Sequence, residues 1–184
     1  MTLPRTLSLK DIEGVPTLFS TPAPVWDNIG KDQKGKDVSV PAGQSIVTYS
    51  EDLNQSKIDF VWDGSAMSFS FVNQKQELLS VHLDPEKQQM SIDRSASGLV
   101  DFQEDFKNIQ IGPIGDLPNT EISVSIFLDQ SSIEVFLNGG QKVMTTQFFN
   151  TNPYNQLKIE NKGTEKAVFK GLKITPIHSI WGQD

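Results

Sequence analysis

The stretch Ile122-Ser-Val-Ser-Ile-Phe-Leu128, followed by Asp129-Gln-Ser-Ser132 and then Ile133-Glu-Val-Phe-Leu-Asn-Gly-Gly140, decides the fold. Ile122, Val124, Ile126 and Leu128 recur with a period of two, which places them on one face of a strand. Ile133, Val135 and Leu137 repeat the pattern after the break. Asn138-Gly139-Gly140 supplies the positive φ that a tight reversal needs, so 132–149 reads as a hairpin. The same alternation runs outward along the chain, through Met67, Phe69 and Phe71, then Leu79, Val81 and Leu83, then Met90 and Ile92. Val168, Leu172 and Ile174 continue it near the end, beside Gly171. No window of a dozen residues spaces its apolar side chains by three and four, so helix is a minor component. Asp63-Gly64, Asp84-Pro85 and Asn161-Lys-Gly163 fall between the runs as turns. Roughly ten short strands joined this way predict an all-β, antiparallel two-sheet sandwich of the jelly-roll or concanavalin-like kind. A single barrel satisfies the same pattern.

The chain has 184 residues, so one domain spanning 1–184 is expected. Cysteine is absent, which excludes disulfides, thiolate metal sites and a cysteine nucleophile. Lys+Arg 16 against Asp+Glu 23 gives a net charge of −7, which opposes a nucleic-acid partner. No apolar run approaches the ~20 residues of a membrane span, so a membrane partner is not expected. Gly30 to Asp37 is charged and glycine-bearing and reads as a solvated loop.

Few residues carry chemistry. His82 falls in the polar phase of a strand and is expected to face solvent, and His178 has no nucleophile arrangement near it. No G-x-S-x-G, H-E-x-x-H or glycine-rich phosphate loop occurs. Asp93, Asp101, Glu104 and Asp105 lie close together in sequence, and two carboxylates at the right separation can hydrolyse a glycosidic bond. The plainer reading, local pairing of Asp93 with Arg94 and solvation of the others, is favoured. No metal or cofactor is expected, because the acidic stretch lacks the regular spacing of a calcium loop. Sugar contact is a separate reading. Arg94 offers a fork of donors, Asp93 and Asp101 can accept from vicinal hydroxyls, and Trp62 or Tyr154 can stack on a sugar face if exposed. Trp62 fits the core phase equally well. Trp26 and Trp181 are expected to close the ends of the core or to meet a neighbour.

Four elements in order resemble the C-terminal β-sandwich of glycoside hydrolase family 32, which contains invertases, levanases and inulinases. They are Met1-Thr-Leu-Pro-Arg-Thr-Leu-Ser-Leu-Lys10, Ile92-Asp-Arg-Ser-Ala-Ser-Gly98 with Asp101-Phe102, the hairpin Phe127 to Gly140 with Gln147-Phe-Phe149, and Leu172-Lys-Ile174 with Ile177 to Trp181. The resemblance implies a module whose partner is an N-terminal five-bladed propeller carrying the catalytic acids. The propeller motifs W-x-N-D-P-N-G, R-D-P and E-C are missing, and Leu83-Asp-Pro85 lacks the preceding arginine. No catalytic residue is therefore expected here. The resemblance further implies a parent that hydrolyses fructan or sucrose in the periplasm or outside the cell, with any export leader upstream of Met1. A fructose- or fructan-binding role, in the parent or as an autonomous module, is also implied. Asp93, Arg94, Asp101 and Trp62 are the candidate sugar or interface residues, with the choice between the two left open.

Overall fold

The computed structural model describes residues 2–28, 33–51, 53–115, 117–118 and 121–177. Two six-stranded antiparallel sheets face each other, and no α-helix occurs among the described residues. The strands are β1 (Arg5–Ile12), β2 (Val15–Pro22), β3 (Lys36–Val40), β4 (Ser45–Tyr49), β5 (Ser56–Trp62), β6 (Met67–Val72) and β7 (Leu78–Asp84). They continue with β8 (Gln89–Ala96), β9 (Gln110–Pro113), β10 (Ile122–Leu128), β11 (Ser132–Leu137), β12 (Lys142–Gln147), β13 (Gln156–Asn161) and β14 (Ala167–Pro176). One sheet runs β12-β11-β10-β5-β14-β3 and the other β4-β13-β6-β7-β8-β9. The β1–β2 hairpin forms a separate two-stranded sheet.

The inward faces hold the apolar phase of each alternating run. Ile58, Phe60 and Trp62, Val124 and Ile126, and Val135 and Leu137 from one sheet meet Met67, Phe69 and Phe71, Val81 and Leu83, and Ile92 from the other. Phe60 and Phe169 of the first sheet pack around Phe69 of the second, with centroid separations of 5.0–5.8 Å. Strands β11 and β12 pair across the Asn138–Gly140 turn, as the sequence predicts.

Two expectations give way. Lys36 and Asp37 belong to β3 rather than to a loop, because β3 has a partner in β14. In β14, Ala167 and Phe169 enter the core and Val168 does not, since a bulge around Gly171 shifts the register. Gly171 takes φ +65 there, and its N–H donates to Asp37 Oδ1 at 2.9 Å.

A second apolar layer covers the outer face of the first sheet. Phe127 and Phe136 fall out of phase with the core, yet both are buried. They pack edge-on at 5.8 Å, and Trp26, in the short helical turn Pro24–Asn28, packs edge-on against Phe127 at 5.7 Å. Arg5 of β1 crosses onto this face, lying 5.1 Å from the Phe136 ring centroid and ion-paired to Glu134. Glu134 also accepts from the Leu3 N–H at 2.6 Å, while Arg5 donates to Thr145 Oγ1 at 2.6 Å. The hairpin is therefore pinned to the sandwich through one carboxylate that is nearly sealed from water.

Removing Arg5 takes away the cation paired with the nearly buried Glu134 in that layer. Arg5→Ala should cost about 3 kcal/mol of unfolding free energy and speed amide exchange in β1 and β2. Denaturant unfolding with hydrogen exchange checks this; an unchanged midpoint and unchanged protection would refute the pinning role.

Candidate functional site

Arg94 sits near the end of β8, and its guanidinium turns inward to the protein. Nε donates to the Phe106 carbonyl at 2.8 Å, and Nη1 donates to Thr146 Oγ1 at 3.0 Å and the Gln147 carbonyl at 2.9 Å. The cation lies 3.8 Å from the Phe106 ring centroid. Burial lowers its pKa. Arg94 thus braces three segments, β8, the turn Glu104–Lys107 and the end of β12, through Nε and Nη1. The brace supports a partly exposed aromatic group in which Phe106 stacks on Phe149 at 5.5 Å and meets Phe102 at a tilted angle, 4.6 Å between centroids. Gly98, at φ +125, allows the chain to pass so close to Phe149 that a Cβ would strike its carbonyl oxygen. The Leu99 N–H donates to that oxygen at 2.7 Å.

The acids near Arg94 serve the local loop. Asp93 Oδ1 accepts from the Ser95 N–H at 2.9 Å, Asp101 is 84% exposed and ion-paired to Lys107, and Asp105 accepts from Asn108 at 3.2 Å. Trp62 is not available for stacking: it is 1% exposed, with Nε1 donating to the Ser65 carbonyl at 2.8 Å. Core phase decided its fate. Tyr154 is likewise buried, its hydroxyl donating to the Ser97 carbonyl at 3.1 Å, and burial raises its pKa. His82 lies on the outer face of its sheet as predicted but is half-buried. Burial lowers its pKa, against the pull of Asp93 and Glu160 and with help from Lys162. The imidazole is therefore neutral near neutral pH. His178 and Trp181 lie outside the described residues.

A polar network that the sequence does not announce orders the same end of the sandwich. Buried Asn73 holds the β6–β7 turn by accepting from the Lys75 and Glu77 N–H groups at 3.0 and 3.1 Å. Its amide donates to Glu77 Oε2 at 2.6 Å and to the Asn152 carbonyl at 2.7 Å. Glu77 in turn accepts from the Thr151 N–H at 2.8 Å and from its hydroxyl. Burial raises the Glu77 pKa, but the Thr151 and Asn73 side chains and the backbone N–H groups of Thr151 and Asn152 outweigh it, leaving the carboxyl below its ordinary 4.5. The turn residues Asn73 to Glu77 signal an Asx-type reversal. Nothing in the pattern points across the fold to Thr151.

A sequence profile of a known family, described as "Glycosyl hydrolases family 32 C terminal", matches residues 26–176. The chain belongs to that family. The levanase of Bacillus subtilis (strain 168) is 30% identical to this family 32 domain over 190 residues, covering 98% of the chain and 27% of the levanase. The extracellular exo-inulinase of Aspergillus awamori is 27% identical over 170 residues, covering 89% of the chain and 32% of the relative. The crystal structure of the exo-inulinase from Aspergillus awamori superposes with a TM-score of 0.80 at 25% identity, over 98% of this chain and 36% of that one. The domain spans about a third or less of the curated relatives it matches.

The geometry assigns Arg94 a structural role. Arg94→Ala should lower unfolding free energy by about 2–3 kcal/mol in denaturant titration, with any sugar binding by the folded fraction unchanged. Loss of binding without loss of stability would reverse the assignment. Glu77 gives a pH test. Its folded pKa is depressed, so its contribution is complete above the unfolded value near 4.5 and fades as pH falls through the lower folded value. Glu77→Gln should therefore flatten the acid limb of the stability profile in that window; a limb identical to wild type would remove Glu77 from the account.

Proposed function

We propose that this family 32 domain is the non-catalytic C-terminal β-sandwich of a fructan- or sucrose-hydrolysing glycosidase, and that it supports an N-terminal propeller domain in the same parent chain. The observation that carries the reading is the β1–β2 hairpin. A two-stranded sheet is marginal alone, and this one lies wholly before the residues matched to the family's C-terminal profile. Leu7, Leu9 and Leu18 share one of its faces, with Leu9 directly opposite Leu18, and are 65%, 70% and 58% exposed. Apolar side chains grouped on an ordered hairpin, anchored at its base by Arg5, suit a surface that another domain covers. The missing propeller motifs and the inward commitment of Arg94 and Trp62 favour a supporting role over catalysis. The whole range 1–184 acts as one module in this reading, with 2–25 as its joining arm. The parent is exported, in keeping with relatives named as extracellular exo-inulinases. Fructose binding is a second role of the module.

The purified chain should release no fructose from sucrose, inulin or levan above the blank. Fructose release that persists through repurification would overturn the reading. Mixed with a family 32 propeller supplied as a separate polypeptide, the chain should bind it, and Leu9→Asp with Leu18→Asp should weaken binding tenfold or more in calorimetry. Equal binding by the double variant would remove the hairpin from the interface.

A further inference from the structure

Strands β4, β6, β10, β12 and β14 end, and β5, β7, β11 and β13 begin, at one end of the sandwich, so loops from both sheets converge there. Between them lies a cleft of about 400 Å³. Its described lining comprises five carboxamides, Asn54, Gln55, Gln130, Asn150 and Asn152, with the carboxylate of Glu51 and, among the described residues, no lysine or arginine. Thr151 and Pro153 complete the wall.

The lining divides into a fixed floor and a free rim. Asn54 is buried, its Oδ1 accepting from the Tyr154 N–H at 2.5 Å and its amide donating to the Asp129 carbonyl at 3.4 Å. Asn150 donates to the Asn152 carbonyl at 2.7 Å, which Asn73 also holds. Glu77 clamps Thr151 from behind. The 150–153 wall is therefore set before any ligand arrives, which reduces the ordering cost of binding. The side-chain amides of Gln55, Gln130 and Asn152, by contrast, make no hydrogen bond to another described residue.

Each carboxamide presents a donor pair and an acceptor, and each sugar hydroxyl needs both. Lys75 Nζ donates to Thr151 Oγ1 at 2.9 Å, but no cation is among the cleft's described lining, so a neutral ligand suits it better than a phosphate or a carboxylate. Glu51 adds an acceptor suited to neighbouring hydroxyls. The volume falls within the usual range for small-ligand sites. We infer that this cleft is a binding site for one or two residues of a neutral oligosaccharide, recognised through the amides of Gln55, Gln130 and Asn152. The site is separate from the Asp93–Arg94 element, where Arg94 Nε and Nη1 are bonded to the fold. The choice of fructo-oligosaccharide as the sugar rests on the function proposed above.

The test is side-chain amide NMR of the isotope-labelled full chain, titrated with kestose and a short levan oligomer to tens of millimolar. Maltotriose and glucose 6-phosphate serve as neutral and charged comparisons. Saturable shifts of the Gln55, Gln130 and Asn152 side-chain amides with a neutral oligosaccharide, weakened tenfold or more in the Gln55→Ala, Gln130→Ala double variant, support the site. Both substituted side chains are exposed and free of hydrogen bonds to described residues, so the variant should melt as wild type does. Four results would overturn the inference: no shifts with any sugar, shifts confined to residues elsewhere, binding unchanged in the double variant, or preference for the phosphorylated sugar. None of these touches the supporting role, which stands or falls on fructose release and propeller binding.

Discussion

The contact on which the structure depends is the interlock of Phe60, Phe69 and Phe169. These rings come from β5, β6 and β14, and the middle one belongs to the opposite sheet. Close packing of this kind fixes the spacing of two sheets and leaves side chains little freedom to slide. Because strand side chains alternate, seating these rings also sets which face every neighbouring residue presents. Trp62, two residues beyond Phe60, is committed to the interior by the same alternation.

Once the sheets are closed, functional opportunity is confined to what alternation leaves outside. One outer face is covered by Phe127, Phe136, Trp26 and the hairpin held at Glu134. The other carries small polar side chains, with Ser70 and Ser80 hydroxyls 3.0 Å apart. The strand ends are where loops can combine side chains from both sheets, and there the carboxamides gather. Arg94 and Glu77 both contribute to this end as braces. Polar residues that look like ligand contacts in a linear sequence are, in these two cases, what keeps the loops in place.

The core is legible because it obeys a period of two over long runs: Met67 to Phe71, Leu79 to Leu83 and Ile122 to Leu128 all face where their phase predicts. The family is legible from four short elements in order. Val168 departs from its expected face because a bulge at Gly171 changes register, and a bulge leaves periodicity without a clear mark. β3 escapes the pattern because its stability comes from pairing with β14, far away in sequence. Phe127 and Phe136 do carry a usable signal, since two large aromatics in a polar phase require cover. The Arg94 brace and the Glu77–Thr151 link are hidden for a different reason. Both join residues more than fifty positions apart, and a charged side chain has the same letter whether it faces solvent or a carbonyl.

The position of β14 bears on how the chain is made. This strand lies between β5 and β3, and among the described residues β3 has no other neighbour in the sheet. A ribosome delivers β3 early and must then add nearly all the remaining strands before its companion emerges. Until then two strand borders stand open, and only late in translation can the gap be zipped shut. Long-range closure of this type is slow and leaves nascent polypeptide vulnerable to association with its neighbours. Chaperone occupancy during synthesis would be concentrated in that interval.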